Sequence, residues 1–251
     1  MKIMNKVVII TGASRGIGKA IAVRMASEGW DLAIQSTPNS KDQLRRLADE
    51  LSKNVRVVPF CCDFSGCVAS NGSVIDAFIN DVVSEFGRLD ALVNNAGVIS
   101  DVPVESVDVH ELQRVFGVNT YAPFILSRAS FNHMKTQGRG GRIVNISSVA
   151  VKFGMGRNRS VHYAASKAAI ETLTKGLSRM GAEHKILVNA IRPGPVNTEI
   201  QQGRSGLEER IKMIPLKRLA EGAEIAGAVA YFLSEQSAFV TGQVLTVAGG
   251  E

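Results

Sequence analysis

Short β-branched runs alternate along the chain with longer stretches whose apolar residues recur at helical spacing. This is the pattern of a parallel sheet covered by helices on both faces. Strands are predicted at Lys6 to Thr11, Asp31 to Gln35, Val55 to Phe60, Ala91 to Asn95, Gly141 to Ser147, Ile186 to Ile191 and Gln243 to Val247. They are apolar almost throughout rather than alternating, which marks strands buried on both faces. Helices are predicted at Ile17 to Glu28, Lys41 to Leu51, Val74 to Phe86, Val107 to Met134, Tyr163 to Met180 and Ala223 to Leu233, each long enough for a crossover. The expected fold is α/β, one doubly wound sheet of seven parallel strands, with residues 1–251 forming a single domain. No repeat or linker interrupts it. In such a sheet ligands bind beyond the carboxyl ends of the strands. Candidate chemistry therefore belongs in the turn after the first strand, the turn after "ALVNN", the loop after "VNIS" and the stretch from Pro193 to Pro215.

Composition narrows the function classes. Hydrophobic residues at 45% and charged residues at 21% are ordinary for a globular chain and exclude a disordered or fibrous one. No apolar run reaches the roughly 18 residues of a membrane span, and the N-terminus lacks a signal peptide's apolar stretch and cleavage site. A cytoplasmic protein without a membrane partner is expected. Cys61, Cys62 and Cys67 are odd in number and clustered, which suits reduced thiols acting as small apolar side chains at a strand end. No histidine lies near them at zinc spacing, so no metal is expected. The net charge of +6 is localised, because nine basic residues and no acidic one fall between Glu111 and Glu171. A basic tail is absent and aromatic residues are only 6%, which makes nucleic acid a poor partner.

After the first strand "TGASRGIGKA" places Gly12, Gly16 and Gly18 at the entrance of a helix. Glycines there let backbone N–H groups and the positive helix end approach a pyrophosphate. The spacing is G-x-x-x-G-x-G rather than the G-x-G-x-x-G fingerprint, so by itself the segment also reads as a plain strand-to-helix turn. Where an NAD-preferring fold offers a carboxylate to the ribose, the second strand ends in neutral Gln35, Ser36 and Thr37. With Arg15 and Lys41 nearby, that favours NADP(H), with NAD(H) as the alternative. "YAASK" sets Tyr163 and Lys167 one helical turn apart on one face. A neighbouring ammonium favours the phenolate and brings the hydroxyl toward a usable acid/base range. Such a pair alone is also common on helix surfaces.

The whole set resembles the short-chain dehydrogenase/reductase family over essentially the full chain. The matching residues are "TGASRGIG", Asp63, "NNAG" at Asn94 to Gly97, Asn119 in "GVNT", Ser148 in "ISS", "YAASK", "RPGPVNT" at Arg192 to Thr198, and "TGQVLTVAGG". The ending and "IPLKRLAEGAEIA" resemble the 3-oxoacyl-[acyl-carrier-protein] reductase branch. The resemblance implies catalytic roles for Asn119, Ser148, Tyr163 and Lys167. Tyr163 would be the general acid, Lys167 would lower its pKa and hold the nicotinamide ribose, Ser148 would bind the substrate oxygen, and Asn119 would anchor a relay water. It also implies cofactor contacts from Tyr163 and Lys167 themselves, from Gly12, Ser14, Arg15, Gly16, Ile17 and Gly18 at the phosphates, from Ser36 and Thr37 at the ribose end, and from Asp63 at the adenine. Asn94, Ala96 and Gly97 would follow the ribose, and Pro193, Gly194, Val196 and Thr198 the carboxamide.

The expected activity is NADP(H)-dependent reduction of a ketone to a secondary alcohol, the substrate a small carbonyl compound or a carrier-protein- or coenzyme-A-linked 3-oxoacyl thioester. The alternatives are an NAD-dependent alcohol or polyol dehydrogenase and a dinucleotide-sensing regulator that turns nothing over. A homotetramer is expected from the family's habit of pairing its long apolar helices, with a dimer as the alternative, and residues 195–215 should form a substrate lid. Arg157 and Arg159 are candidates to contact an anionic substrate, and Arg128 and Arg179 to guide an acidic carrier. The chain departs from the family in a longer segment at residues 64–73, read as a surface-loop insertion. It departs also in a slightly longer spacing between Ser148 and Tyr163, and in "VAGG", where an acidic residue commonly precedes the glycines.

Overall fold

The computed structural model describes residues 5–154, 160–199 and 206–251; Arg157, Arg159 and positions 200–205 of the expected lid lie outside them. Seven strands form one all-parallel sheet in the order β3-β2-β1-β4-β5-β6-β7. They are β1 (Val7–Ile10), β2 (Asp31–Ser36), β3 (Val57–Cys61), β4 (Ala91–Asn94), β5 (Gly141–Ile146), β6 (Ile186–Pro193) and β7 (Val244–Val247). The helices are α1 (Gly16–Ser27), α2 (Lys41–Leu51), α3 (Ser73–Phe86), α4 (Val109–Phe116), α5 (Ala122–Gln137), α6 (Ala150–Phe153), α7 (Val161–Gly181), α8 (Leu207–Met213) and α9 (Gly222–Leu233).

The apolar strands are explained by two cores, one on each face. Along β1, Val8 and Ile10 pack with Ile21 and Met25 of α1, Leu44 of α2 and Val229 of α9. The intervening Val7 and Ile9 pack with Ile75 and Val82 of α3 and Leu126 of α5. Successive side chains point to opposite faces, so a strand covered on both sides needs an apolar residue at every position.

Two expectations are corrected. The single helix expected over Val107 to Met134 is three pieces, because a π-helical turn at Gly117–Tyr121 separates α4 from α5. Pro123 in the first turn of α5 has no N–H to return to the carbonyl four residues back, so the α-helical ladder cannot run through this point. The segment 64–73 is also more than a surface insertion. Phe64 and Cys67 are buried in the α3 core, with the Phe64 ring 5.5 Å from that of Phe78. Of the cysteines, Cys61 ends β3 exposed and Cys62 is half-buried, whereas Cys67 lies off the strand. Burial, with Asp63 and Asp81 nearby, pushes the Cys62 thiol up to about 11, so it stays neutral at physiological pH.

Candidate active site

Strand order switches direction between β1 and β4, and a cavity of about 930 Å³ opens there at the carboxyl ends of the strands. One end is built by the turn into α1, the tip of β2 and the start of the 64–73 segment. Gly12, Ser14, Arg15, Gly16, Ile17, Gly18, Ser36, Thr37 and Asp63 all line it. Arg15 is the N-cap of α1 and makes no side-chain cap, and the first turn carries no acidic residue. The helix therefore presents its free N–H groups and positive end without an internal anion, as a pyrophosphate requires.

Two side chains outside the expected set hold this turn. Gln35, 2% exposed, accepts from Gly12 N at 3.1 Å and donates to Cys62 O at 2.5 Å, so one carboxamide ties β1, β2 and β3 together. Asn95 donates through Nδ2 to Thr11 O at 2.9 Å and Gly12 O at 3.2 Å. It is Asn95, not Asn94, that lines the cavity. Asn94 is turned into the protein, where Nδ2 donates to Ser127 Oγ at 2.9 Å and Asn145 Oδ1 at 2.8 Å. Lys41 opens α2 on the exposed surface and is not among the cavity's lining residues, so of the two expected phosphate partners only Arg15 reaches the cavity.

β5, α6 and α7 bring Ser148, Tyr163 and Lys167 to the same cavity, whose lining also includes Ala96, Gly97, Pro193, Gly194, Val196 and Thr198. The two adjacent serines part company here. Ser147 is buried and donates to Glu171 Oε1 at 2.7 Å, within the ion pair that Glu171 makes with Arg192. Ser148 Oγ accepts from Ala150 N at 3.1 Å, which leaves its hydroxyl proton to donate into the cavity. Tyr163 and Lys167 sit one turn apart near the start of α7.

Lys167 is 5% exposed and donates to Ile146 O at 2.9 Å. Burial lowers its ammonium to about 8. It is therefore mostly charged at neutral pH and loses its charge as pH rises through that value. Asn119, fully buried in the π-helical turn, does not line the cavity. Its Oδ1 accepts from Val98 N at 2.8 Å, while Nδ2 donates to Val98 O at 2.9 Å and Ser166 Oγ at 3.1 Å. Ser166 in turn donates to Tyr163 O at 2.7 Å, so the π-helical turn holds both the Gly97–Val98 loop and the start of α7. A Cβ added at Gly97 would lie 3.3 Å from both Asn119 Oδ1 and Lys167 Nζ, so those two groups flank one space.

The remaining cavity lining contains two arginines missed in the sequence, Arg114 on α4 and Arg210 on α8. Arg114 is held by Glu111 through two hydrogen bonds of 2.7 Å, and this pairing brings the Glu111 carboxyl down to about 2. Arg128, expected to guide a carrier, instead donates through Nη2 to both carboxylate oxygens of Asp76, at 2.7 and 2.8 Å. Two members of the basic run are thereby paired with carboxylates of the chain itself.

Residues 12–251 match the family described as enoyl-(acyl carrier protein) reductase. The 3-oxoacyl-[acyl-carrier-protein] reductase FabG of Staphylococcus epidermidis is 34% identical over 249 residues, 98% of this chain and 99% of that one. An uncharacterized oxidoreductase of Thermotoga maritima is 36% identical over 258 residues, 100% of this chain and 98% of its own. Among solved structures, a blue fluorescent protein from a metagenomic library in complex with NADPH is similar with a TM-score of 0.89 and 32% identity, over 100% of this chain and 99% of that one. A short-chain dehydrogenase/reductase from Serratia marcescens gives a TM-score of 0.90 at 32% identity, with the same shares of the two chains covered.

Proposed function

The chain belongs to the short-chain dehydrogenase/reductase family of NAD(P)-dependent oxidoreductases, and on that premise we propose that it reduces a 3-oxoacyl thioester to a secondary alcohol with NADPH. The observation that carries this reading is that Ser148, Tyr163 and Lys167 line the same cavity as the uncapped end of α1. The FabG relative supplies the substrate class by similarity, and the neighbour solved with NADPH supplies the cofactor class.

In this reading the first turn of α1, with Gly12, Ser14, Arg15, Gly16, Ile17 and Gly18, holds the dinucleotide's phosphates. Asp63 faces the adenine; its Oδ1 accepts from Ser65 N, and its second oxygen carries no hydrogen bond among the described residues. Ala96 and Gly97 follow the ribose, and Pro193, Gly194, Val196 and Thr198 the carboxamide. When bound, the dinucleotide supplies a hydride to the carbonyl carbon. The protein's own work is on the oxygen. Ser148 donates its free O–H to the carbonyl oxygen, and Tyr163 transfers its hydroxyl proton there as negative charge develops. The Lys167 ammonium stabilises the phenolate left behind and binds the ribose hydroxyls. Asn119 keeps Tyr163 and the Gly97–Val98 loop in register and offers its remaining oxygen lone pair to a relay water.

Residues 195–215 act as the lid, and the assembly is a homotetramer built on α5 and α7, which expose Phe124 and Met180. Light scattering should then return four chain masses, and one chain mass would remove this part of the proposal.

Two outcomes test the cofactor side. The neutral tip of β2 with Arg15 beside it suits a 2′-phosphate, which a carboxylate would repel. Thr37→Asp should therefore reduce the NADPH-over-NADH ratio of kcat/KM by about tenfold or more, the equivalent of losing one charge-assisted contact. An unchanged ratio would place the phosphate elsewhere. Second, kcat/KM for the dinucleotide reports the free enzyme and should fall as pH rises through about 8, where Lys167 loses its charge. A profile flat to pH 10 would contradict the role given to Lys167. On the substrate side, an Arg157→Ala, Arg159→Ala double variant should raise KM for an anionic thioester and spare a neutral ketone. Equal effects on both would show that these arginines do not read the substrate's charge.

A further inference from the structure

The lid helix α8 has no buried residue, so its own packing does not secure it over the cavity. A strap at residues 248–251 does. Leu216 N donates to Gly249 O at 3.1 Å, which lays the strap against the segment immediately after α8. Gly249 and Gly250 take φ of 65° and 102°, and a Cβ on them would lie 2.9 Å from Ile214 and from Pro215 respectively. The approach is closer than any side chain permits.

From this strap Glu251 reaches back to the lid. Its side chain is 6% exposed, and Oε1 forms an ion pair with Arg210 Nη1 of α8. Its carbonyl accepts from Lys152 Nζ at 3.1 Å, in the helix that follows Ser148. The second carboxylate oxygen, Oε2, is buried with no hydrogen-bond partner among the described residues. A carboxylate so removed from water depends on its countercharge, so Arg210 is held to this position. Arg210 also lines the cavity, together with Gly206 and Leu207 of the same helix end.

We propose that Glu251 is a positioning residue for the reaction: through Arg210 it fixes α8 over the ketone-binding end of the cavity and so sets ketone affinity, without itself touching substrate. This rests on the reading of the cavity as a reductase site beneath a lid. The altered "VAGG" ending acquires a purpose in this account, since the acidic residue stands after the glycines, where it meets the lid.

The test pairs kinetics with hydrogen exchange on the full chain. Glu251→Gln should raise KM for acetoacetyl thioester about tenfold with kcat and KM for NADPH within about twofold, a size typical of coupled contacting residues. Glu251→Asp should lie between wild type and Glu251→Gln. In a cycle with Arg210→Ala the two changes should be non-additive, because each breaks the same contact. Independently of turnover, amides of residues 207–213 should exchange faster in Glu251→Gln while those of α7 keep their protection. That arm decides the latch even if no thioester is reduced, an outcome that would remove the reductase reading alone. Unchanged exchange in α8, additive effects, or a NADPH KM that rises with the ketone KM would overturn the proposal.

Discussion

Replacing Tyr163 by phenylalanine is expected to lower kcat by about a thousandfold while dinucleotide affinity stays within about twofold. The substitution removes one oxygen from a half-buried ring on α7 and leaves the packing of that helix in place. What is lost is the proton delivered to the carbonyl oxygen, and positioned general acids contribute about 10²–10⁴ in rate. Binding is expected to survive because the groups proposed to hold the phosphates belong to the turn into α1, which the substitution does not alter. Stopped kinetics with retained nicotinamide fluorescence enhancement is the expected signature. A protein that only sensed dinucleotide would show no turnover in the wild type and nothing for this substitution to remove. Equal turnover in the two proteins would transfer the acid role to another group.

The second large effect is structural. Gly18→Ala is expected to destabilise the fold by about 3 kcal/mol, the upper part of the usual range for overpacking. For a chain of this size that corresponds to a fall in Tm of about 6–12 °C. A methyl group at Gly18 would lie 2.2 Å from Gly12 O and 2.6 Å from Asn95 Nδ2. Neither is a flexible end: Gly12 O is backbone, and Asn95 Nδ2 is committed to Thr11 O and Gly12 O. α1 must therefore back away from β1, and NADPH affinity should fall with stability. Gly176→Ala is the control, since a Cβ there meets nothing within 4 Å and the site is inside α7. It should be stabilising by up to about 1 kcal/mol, the helix-propensity gain. Thermal melts that show the two alanines to be equivalent would refute the close-approach argument.

The strands were legible because burial in the sheet leaves a plain signature, a short run that is apolar almost throughout, and each observed strand begins and ends within two residues of its expected limits. The break at Gly117–Tyr121 was not, because the apolar spacing continues across one wide turn; only Pro123, read as a first-turn residue, signals it. The glycine turn and the Tyr163–Lys167 pair are local in sequence and were readable from residue type and spacing. Asn94 and Asn95 illustrate where type alone falls short. Strand alternation groups Asn94 with Leu92, toward the α5 face, and frees Asn95 for the cavity; applied at the tip of β4, the period-two rule separates them. Arg210 and Glu251 carried no such mark. Their meaning comes from pairing across space, and nothing in the local pattern of α8 announces a partner 41 residues away. The 64–73 segment misled for a related reason: Phe64 and Cys67 lie in a stretch with no periodicity, and tertiary packing alone decides that they are buried.

The central claim is that Tyr163 delivers a proton during NADPH-dependent reduction of a 3-oxoacyl thioester. It is tested most directly by following nicotinamide absorbance with acetoacetyl thioester and NADPH, with NADH in parallel, for wild type and Tyr163→Phe. The expected result is rapid loss of absorbance with NADPH, slower loss with NADH, and almost none in the variant, which still binds the dinucleotide. No consumption by a wild-type protein that binds NADPH, or equal consumption by the two proteins, would contradict it.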